Sequence, residues 1–176
     1  PGGSNAAMTD SQGPGSHVLY QDFMQAGPVA SALLSFDLFV GNRAEAFHTP
    51  PTLDFSTPAL NQQARVDILL AGTDPFSLAL GEVLAGLYMS TPGDALVADY
   101  RHFEIDITDL LNANLNTGLR LRFSEVDNVN LFQLGVDNVM LVTEERTATV
   151  PEPGSWGLAA AGLAARRRPD GDHRRG

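Results

Sequence analysis

The chain has 176 residues, 43% of them hydrophobic, and a formal net charge of −10. That is room for one domain with a real core, in a class that folds rather than stays disordered. The acidity works against phosphate backbones and excludes nucleic acid as the expected partner, while zero cysteine removes thiol catalysis, disulfides and thiolate metal sites.

Residues 1–15 (PGGSNAAMTDSQGPG) are rich in Gly, Ser and Pro and aperiodic, the composition of a flexible leader. The chain starts at Pro1 without a basic-then-apolar signal and reads as a fragment or processed form. From residue 16 to 143 a two-residue alternation recurs. His17–Phe23 makes a first strand. In LSFDLFV, Leu34, Phe36, Leu38 and Val40 share one face. Val66, Ile68 and Leu70 alternate with Arg65 and Asp67, and Phe103, Ile105 and Ile107 with Glu104 and Asp106. Leu119, Leu121 and Phe123 alternate with Arg120 and Arg122. Period two with charges opposite is the pattern of half-buried antiparallel strands. Gly135–Val142 makes a last strand, and Leu53–Phe55 and Val129–Phe132 are weaker candidates.

Two segments depart from that period. In TDPFSLALGEVLAGLYM, Asp74 fits an N-cap and Pro75 the first helical position, and Phe76, Leu80, Val83, Leu84 and Leu87 fall on one stripe. This predicts a helix, kept short by Gly81 and Gly86. DITDLLNANLNTG predicts a strand end and one helical turn starting near Thr108. The expected fold is an all-β antiparallel sandwich of jelly-roll kind with one short helix. A meander packed on a helix is the alternative.

No catalytic constellation stands out. His17, His48, His102 and His173 are scattered, with no metal-protease spacing, nucleophile elbow or phosphate loop. His17 and His102 read as hydrogen-bonded strand residues. EVDNVNLF and GVDNVMLV repeat an Asp-Asn pair, Asp127-Asn128 and Asp137-Asn138. Such pairs favour turns, and they also carry the oxygen ligands that calcium takes.

The chain ends differently. Residues 144–153 form a linker containing Pro151, Glu152 and Pro153. Twelve apolar residues, Gly154 to Ala165, follow, and then an Arg-rich tail, 166–176, opening on Arg166, Arg167 and Arg168. A membrane span needs roughly 20 apolar residues. A rigid tripeptide, an apolar helix and stop arginines in this order resemble the PEP-CTERM sorting signal of exopolysaccharide-producing Gram-negative bacteria. The resemblance implies Pro151-Glu152-Pro153 as the element an exosortase recognises. It implies Arg166–Arg168 as the membrane stop, transient residence in the inner membrane, and release to the cell surface or matrix.

The body, on LLSFDLFVGN, NQQARVDILLAGTDPF, LRLRFSEVDN and GVDNVML, resembles galactose-binding-like jelly rolls and carbohydrate-binding modules over about residues 17–143. That resemblance implies a structural calcium held by Asp137. The expected function is an exported, non-enzymatic, surface- or matrix-associated β-sandwich, with a module recognising exopolysaccharide as the alternative. Aromatic platforms are scarce: one tryptophan, Trp156 in the tail, and Tyr20, Tyr88 and Tyr100.

Overall fold

Each alternating segment becomes a strand in the computed structural model, which describes residues 6–9 and 13–146. In chain order these are β1 (Ala7–Met8), β2 (Gly15–Met24), β3 (Val29–Asn42), β4 (Gln62–Leu70), β5 (Val83–Met89) and β6 (Val97–Asp106), then α1 (Thr108–Ala113), β7 (Gly118–Asp127) and β8 (Phe132–Glu145). They form two antiparallel four-stranded sheets, β1-β8-β3-β6 and β2-β7-β4-β5. The expected sandwich is present. The linker, Pro151-Glu152-Pro153, the apolar run, Arg166–Arg168 and His173 lie outside the described residues. Among the described residues no helix is long and apolar enough to cross a membrane.

The core lies between the sheets. Leu34, Phe36, Leu38 and Val40 of β3 face Ala64, Val66 and Ile68 of β4 and Leu119, Leu121 and Phe123 of β7. Phe36 stacks on Phe103 at 5.1 Å between centroids and meets Phe123 edge-on at 5.3 Å, arrangements that suit the ring quadrupoles. Ile105, expected inside, is partly buried, because β6 is an edge strand.

Four expectations change. The helix over 74–87 does not form. Asp74 Oδ1 does accept the Phe76 amide and its carbonyl the Ser77 amide, closing one turn, but Gly81 then takes φ +87°. Val83–Met89 pairs with β4 as β5. Sheet hydrogen bonding overrides a weak helical stripe interrupted by two glycines. The helical turn near Thr108 is present as α1, with Asp106 Oδ1 accepting the Thr108 amide. The leader is not wholly loose: Ala7 and Met8 pair with Val136 and Gly135. Leu53–Phe55 and Val129–Leu131 are loops rather than strands.

The largest departure is the face opposite the core. On β7 every residue from Leu119 to Asp127 is buried, arginines included. Loops cover the outer face of that sheet. Arg122 donates to the carbonyls of Pro75 (2.9 Å) and Ser77 (2.7 Å) and to Asp67. Arg120 donates to the Thr73 carbonyl, pairs with Asp22, and stands 4.0 Å over the Tyr20 ring. Asn128 Nδ2 donates to the carbonyls of Phe55, Thr57 and Ala59, so the first Asp-Asn pair does the turn work expected of it.

Candidate functional site

Among the described residues, no loops cover the outer face of the other sheet in this way. The second Asp-Asn pair shapes it. Two residues of β8, Asn138 and Val139, lie opposite one of β3, Phe36, between the pairs Asp37–Asp137 and Ser35–Met140, so β8 carries a bulge. Asn138 sits in it at φ +51°, a conformation Asn tolerates better than most residues. The bulge aims Asn138 Nδ2 at Asp37 Oδ2, 2.7 Å away, while Asp37 Oδ1 meets His102 Nδ1 at 2.7 Å. The Asn138 amide, then His102, hold the Asp37 carboxyl below the ordinary aspartate range. On this face His102, Asp37 and Asp137 therefore form one row across β6, β3 and β8.

The next row is aromatic. Phe39 lies opposite Gly135, and Tyr100 occupies the β6 irregularity beside Phe39, with ring centroids 5.7 Å apart. A β-carbon on Gly135 would stand 2.5 Å from Tyr100 Oη and 3.1 Å from Phe39 Cβ. Gly135 belongs to β8, two strands from β6. Strands are spaced about 4.8 Å apart, so a phenol rooted on β6 and reaching β8 lies along the sheet rather than standing off it. Phe39 in turn folds along its own strand over Gly41, where a β-carbon would be 3.0 Å from Phe39 Cε1. Neither glycine has a positive φ. Their role is space: each leaves a gap that an aromatic ring fills, and both rings are half-exposed. The result is a shallow aromatic plate, its two rings tilted 39° to each other, bordered by Asp37, His102, Asp137 and Asn138. Burial first, then the charges of Asp137 and Asp37, raise the Tyr100 phenol above its ordinary range.

Asp137, expected as a calcium ligand, thus sits at the edge of this plate with Asp37 as its neighbouring carboxylate. Metal-ligand spacing is found elsewhere. Among the described residues, one group of His and carboxylate side chains places its ligand atoms within 4.8 Å of one another: His17, Glu125 and Asp127. Pairing of β2 with β7 sets His17 opposite Glu125, and Gly15 opposite Asp127. His17 Nδ1 is 2.7 Å from Glu125 Oε1, and the Gly15 amide donates to Asp127 Oδ1 at 2.7 Å. Both carboxylates are buried. One imidazole and two carboxylates form a donor set for a borderline divalent ion such as zinc. The same contacts also serve as a structural clasp closing the end of the sheet. His48 bridges to Gln62 through its backbone, and Tyr88 packs on Phe103 at the sandwich edge.

Composition points to Tyr100 only as one of three tyrosines, and Phe39 lies outside the alternating set Leu34, Phe36, Leu38 and Val40. The available signal was F-x-G at Phe39–Gly41, an aromatic residue two positions before a strand glycine, on the same face.

No family model and no curated protein matches the chain. Among solved structures it is similar to one described as "CBM4 structure and function". That match has 14% identity and a TM-score of 0.44, and covers 79% of this chain and 78% of that one. It is similar also to a carbohydrate-binding module, CBM28, described as specific for non-crystalline cellulose. There the identity is 14% and the TM-score 0.35, covering 80% of this chain and 82% of that one.

Proposed function

We propose that this chain is an exported, non-catalytic domain that binds a glycan on the plate formed by Phe39 and Tyr100. The observation that carries this reading is the pair of rings lying over Gly41 and Gly135, tilted 39° to each other, with Asp37, His102 and Asn138 beside them. Pyranose rings offer an apolar C–H face and a rim of hydroxyls. Such a ligand is met by an aromatic surface together with a few fixed donors and acceptors. The plate is open and shallow, which suits a polymer chain lying across the sheet rather than an enclosed monosaccharide. In this reading the tail is a PEP-CTERM signal: Pro151-Glu152-Pro153 is read by an exosortase, and Arg166–Arg168 hold the chain in the inner membrane until release to the surface or matrix.

Affinity electrophoresis and calorimetry against soluble polysaccharides test the binding. Tyr100→Ala is expected to weaken retention by roughly 3- to 10-fold, the scale of one stacking contact, with the fold unchanged by circular dichroism. Retention unaffected by both Tyr100→Ala and Phe39→Ala would show that the plate is not the site. Mass spectrometry of exported protein from an exosortase-bearing host tests the tail. Intact Arg166–Arg168 on secreted material, beside processed tagged proteins from the same cell, would remove the sorting role.

A further inference from the structure

β1 covers only the first part of β8. It ends at Ala7, opposite Val136. From Asp137 to Glu145 β8 pairs with β3 on one side and, among the described residues, with no strand on the other. Such an edge presents unpaired main-chain donors and acceptors, a template for another strand. Lysine, proline or a very short strand commonly blunts an edge, and Val139–Thr143, within the 14-residue β8, has none of these. Val139, Met140, Leu141 and Val142 are instead each between 37% and 56% exposed.

Register with β3 sorts these side chains by face. Leu141 and Thr143 lie opposite the core residues Leu34 and Ala32, and Met140 and Val142 opposite Ser35 and Leu33 on the outer face. Val139 and Leu141 border a slot of about 210 Å³ between the sheets, shared with Gln21 and Phe23 of β2 and with Leu34 and Leu121 of the core. An occupant of this edge must therefore supply a strand with apolar side chains on both faces.

The stretch itself meets that description. In an antiparallel pair of two copies centred on Leu141, Leu141 meets Leu141, Val139 meets Thr143, and Met140 meets Val142. Residues directly opposite share a face, so inner side chains meet inner ones and outer meet outer, a match that a one-residue slip destroys. The ladder carries no charge, and the bulge at Asn138 ends regular pairing before Asp137. The residues before Ala7 suit this edge less well: they read Pro1-Gly2-Gly3-Ser4-Asn5, rich in the residue types that strands disfavour. We propose that two copies of this chain pair through β8, Val139–Thr143 against Val139–Thr143, joining their sheets into one. The pairing stands independently of the glycan reading. Together the two put both plates on one face of a continuous sheet, where a long glycan that bridges them gains avidity.

Analytical ultracentrifugation of the full chain, without any glycan, tests the pairing. Half of the chain is expected as dimer at roughly 10–100 µM, the strength of an interface at the small end of the range. Each copy carries a net charge of −10, so added salt should tighten the dimer. Leu141→Lys sets two ammonium groups against each other at the centre and should weaken association by about tenfold or more. Val97→Lys, at an exposed residue of β6 on the opposite edge of the sheet, should leave it intact. Because the chain has no cysteine, Leu141→Cys reports the register: the two substituted positions face each other and should oxidise to a linked dimer, whereas Val97→Cys should not. A chain that is monomeric at roughly 200 µM overturns the proposal. So does a dimer that Leu141→Lys leaves intact, or a Leu141→Cys variant that fails to cross-link. Where Leu141→Lys unfolds by circular dichroism, Met140→Lys, at a side chain 56% exposed, decides together with the cross-link.

Discussion

Replacing Arg122 with methionine should destabilise the domain by about 3 kcal/mol, the lower end of what breaking a buried pair costs. The guanidinium is fully buried, as is its partner Asp67. Methionine fills similar volume, so cavity formation contributes little and the lost polar contacts dominate. Two loop carbonyls, Pro75 and Ser77, lose a charged donor, each such bond contributing about 1.5–3 kcal/mol. Water reaching the loosened loop restores part of that. Asp67 retains Arg65, whose Nη2 is 2.9 Å from Oδ1, which is why the estimate sits at about 3 rather than 5 kcal/mol. Urea unfolding measures the loss, and for a domain of this size the melting temperature should fall by on the order of 10 °C. A double-mutant cycle with Asp67→Asn should give a coupling above about 1 kcal/mol. A single-variant loss under about 1 kcal/mol would mean that the 73–77 segment is not seated on the sheet and that the charged face of β7 is open to water.

Further outcomes follow from the same contacts. Phe123→Ala, a 4% exposed ring packed edge-on against Phe36, should cost about 3–5 kcal/mol in chemical denaturation; an unchanged midpoint would place the ring outside the core. Gly135→Ala forces the phenol of Tyr100 to lift, so a stability loss of about 1 kcal/mol should accompany weaker glycan retention, and unchanged retention would count against the plate. Asp22, Asp37, Asp54 and Asp106 all have folded carboxyls held below the 3.8 of the free group, through Arg120, Asn138 and His102, Ser56, and Thr108 respectively. A lowered folded value means their contribution is present above 3.8 and lost as pH falls through the folded values. Thermal midpoints should therefore hold steady from neutral pH down to about 4 and drop below it, and a midpoint rising in acid would reverse the sign of the argument.

Phe39, Tyr100, Asp37 and Asp137 come from three strands spread over a hundred residues. Phe39, Tyr100 and Asp37 are each unremarkable in their own segments. Asp137-Asn138 did announce local backbone work, because Asn tolerates positive φ and bonds nearby groups; that it would bend β8 and aim at Asp37 was not local information. His17, Glu125 and Asp127 were likewise ordinary strand and turn residues until β2 paired with β7.

For the alternating segments, strand existence and the inward face were determined by the sequence alone. Alternation has a period of two, and a one-residue error would turn Leu34, Phe36, Val66, Ile68, Leu121 and Phe123 out of the core. The start of α1 was legible for the same local reason, a side chain accepting a nearby backbone amide. What faces outward was decided only in the tertiary structure. Arg120, Arg122 and Asp67 looked solvated because a strand pattern records polarity and not coverage, and loops closing over one sheet turned them into buried partners. The same contest made a strand of Val83–Met89: a helical stripe with two glycines is a weak local preference, and the open edge of β4 offered a full ladder of hydrogen bonds. Among the described residues the other sheet has no such cover, so its glycines and aromatic rings form a surface.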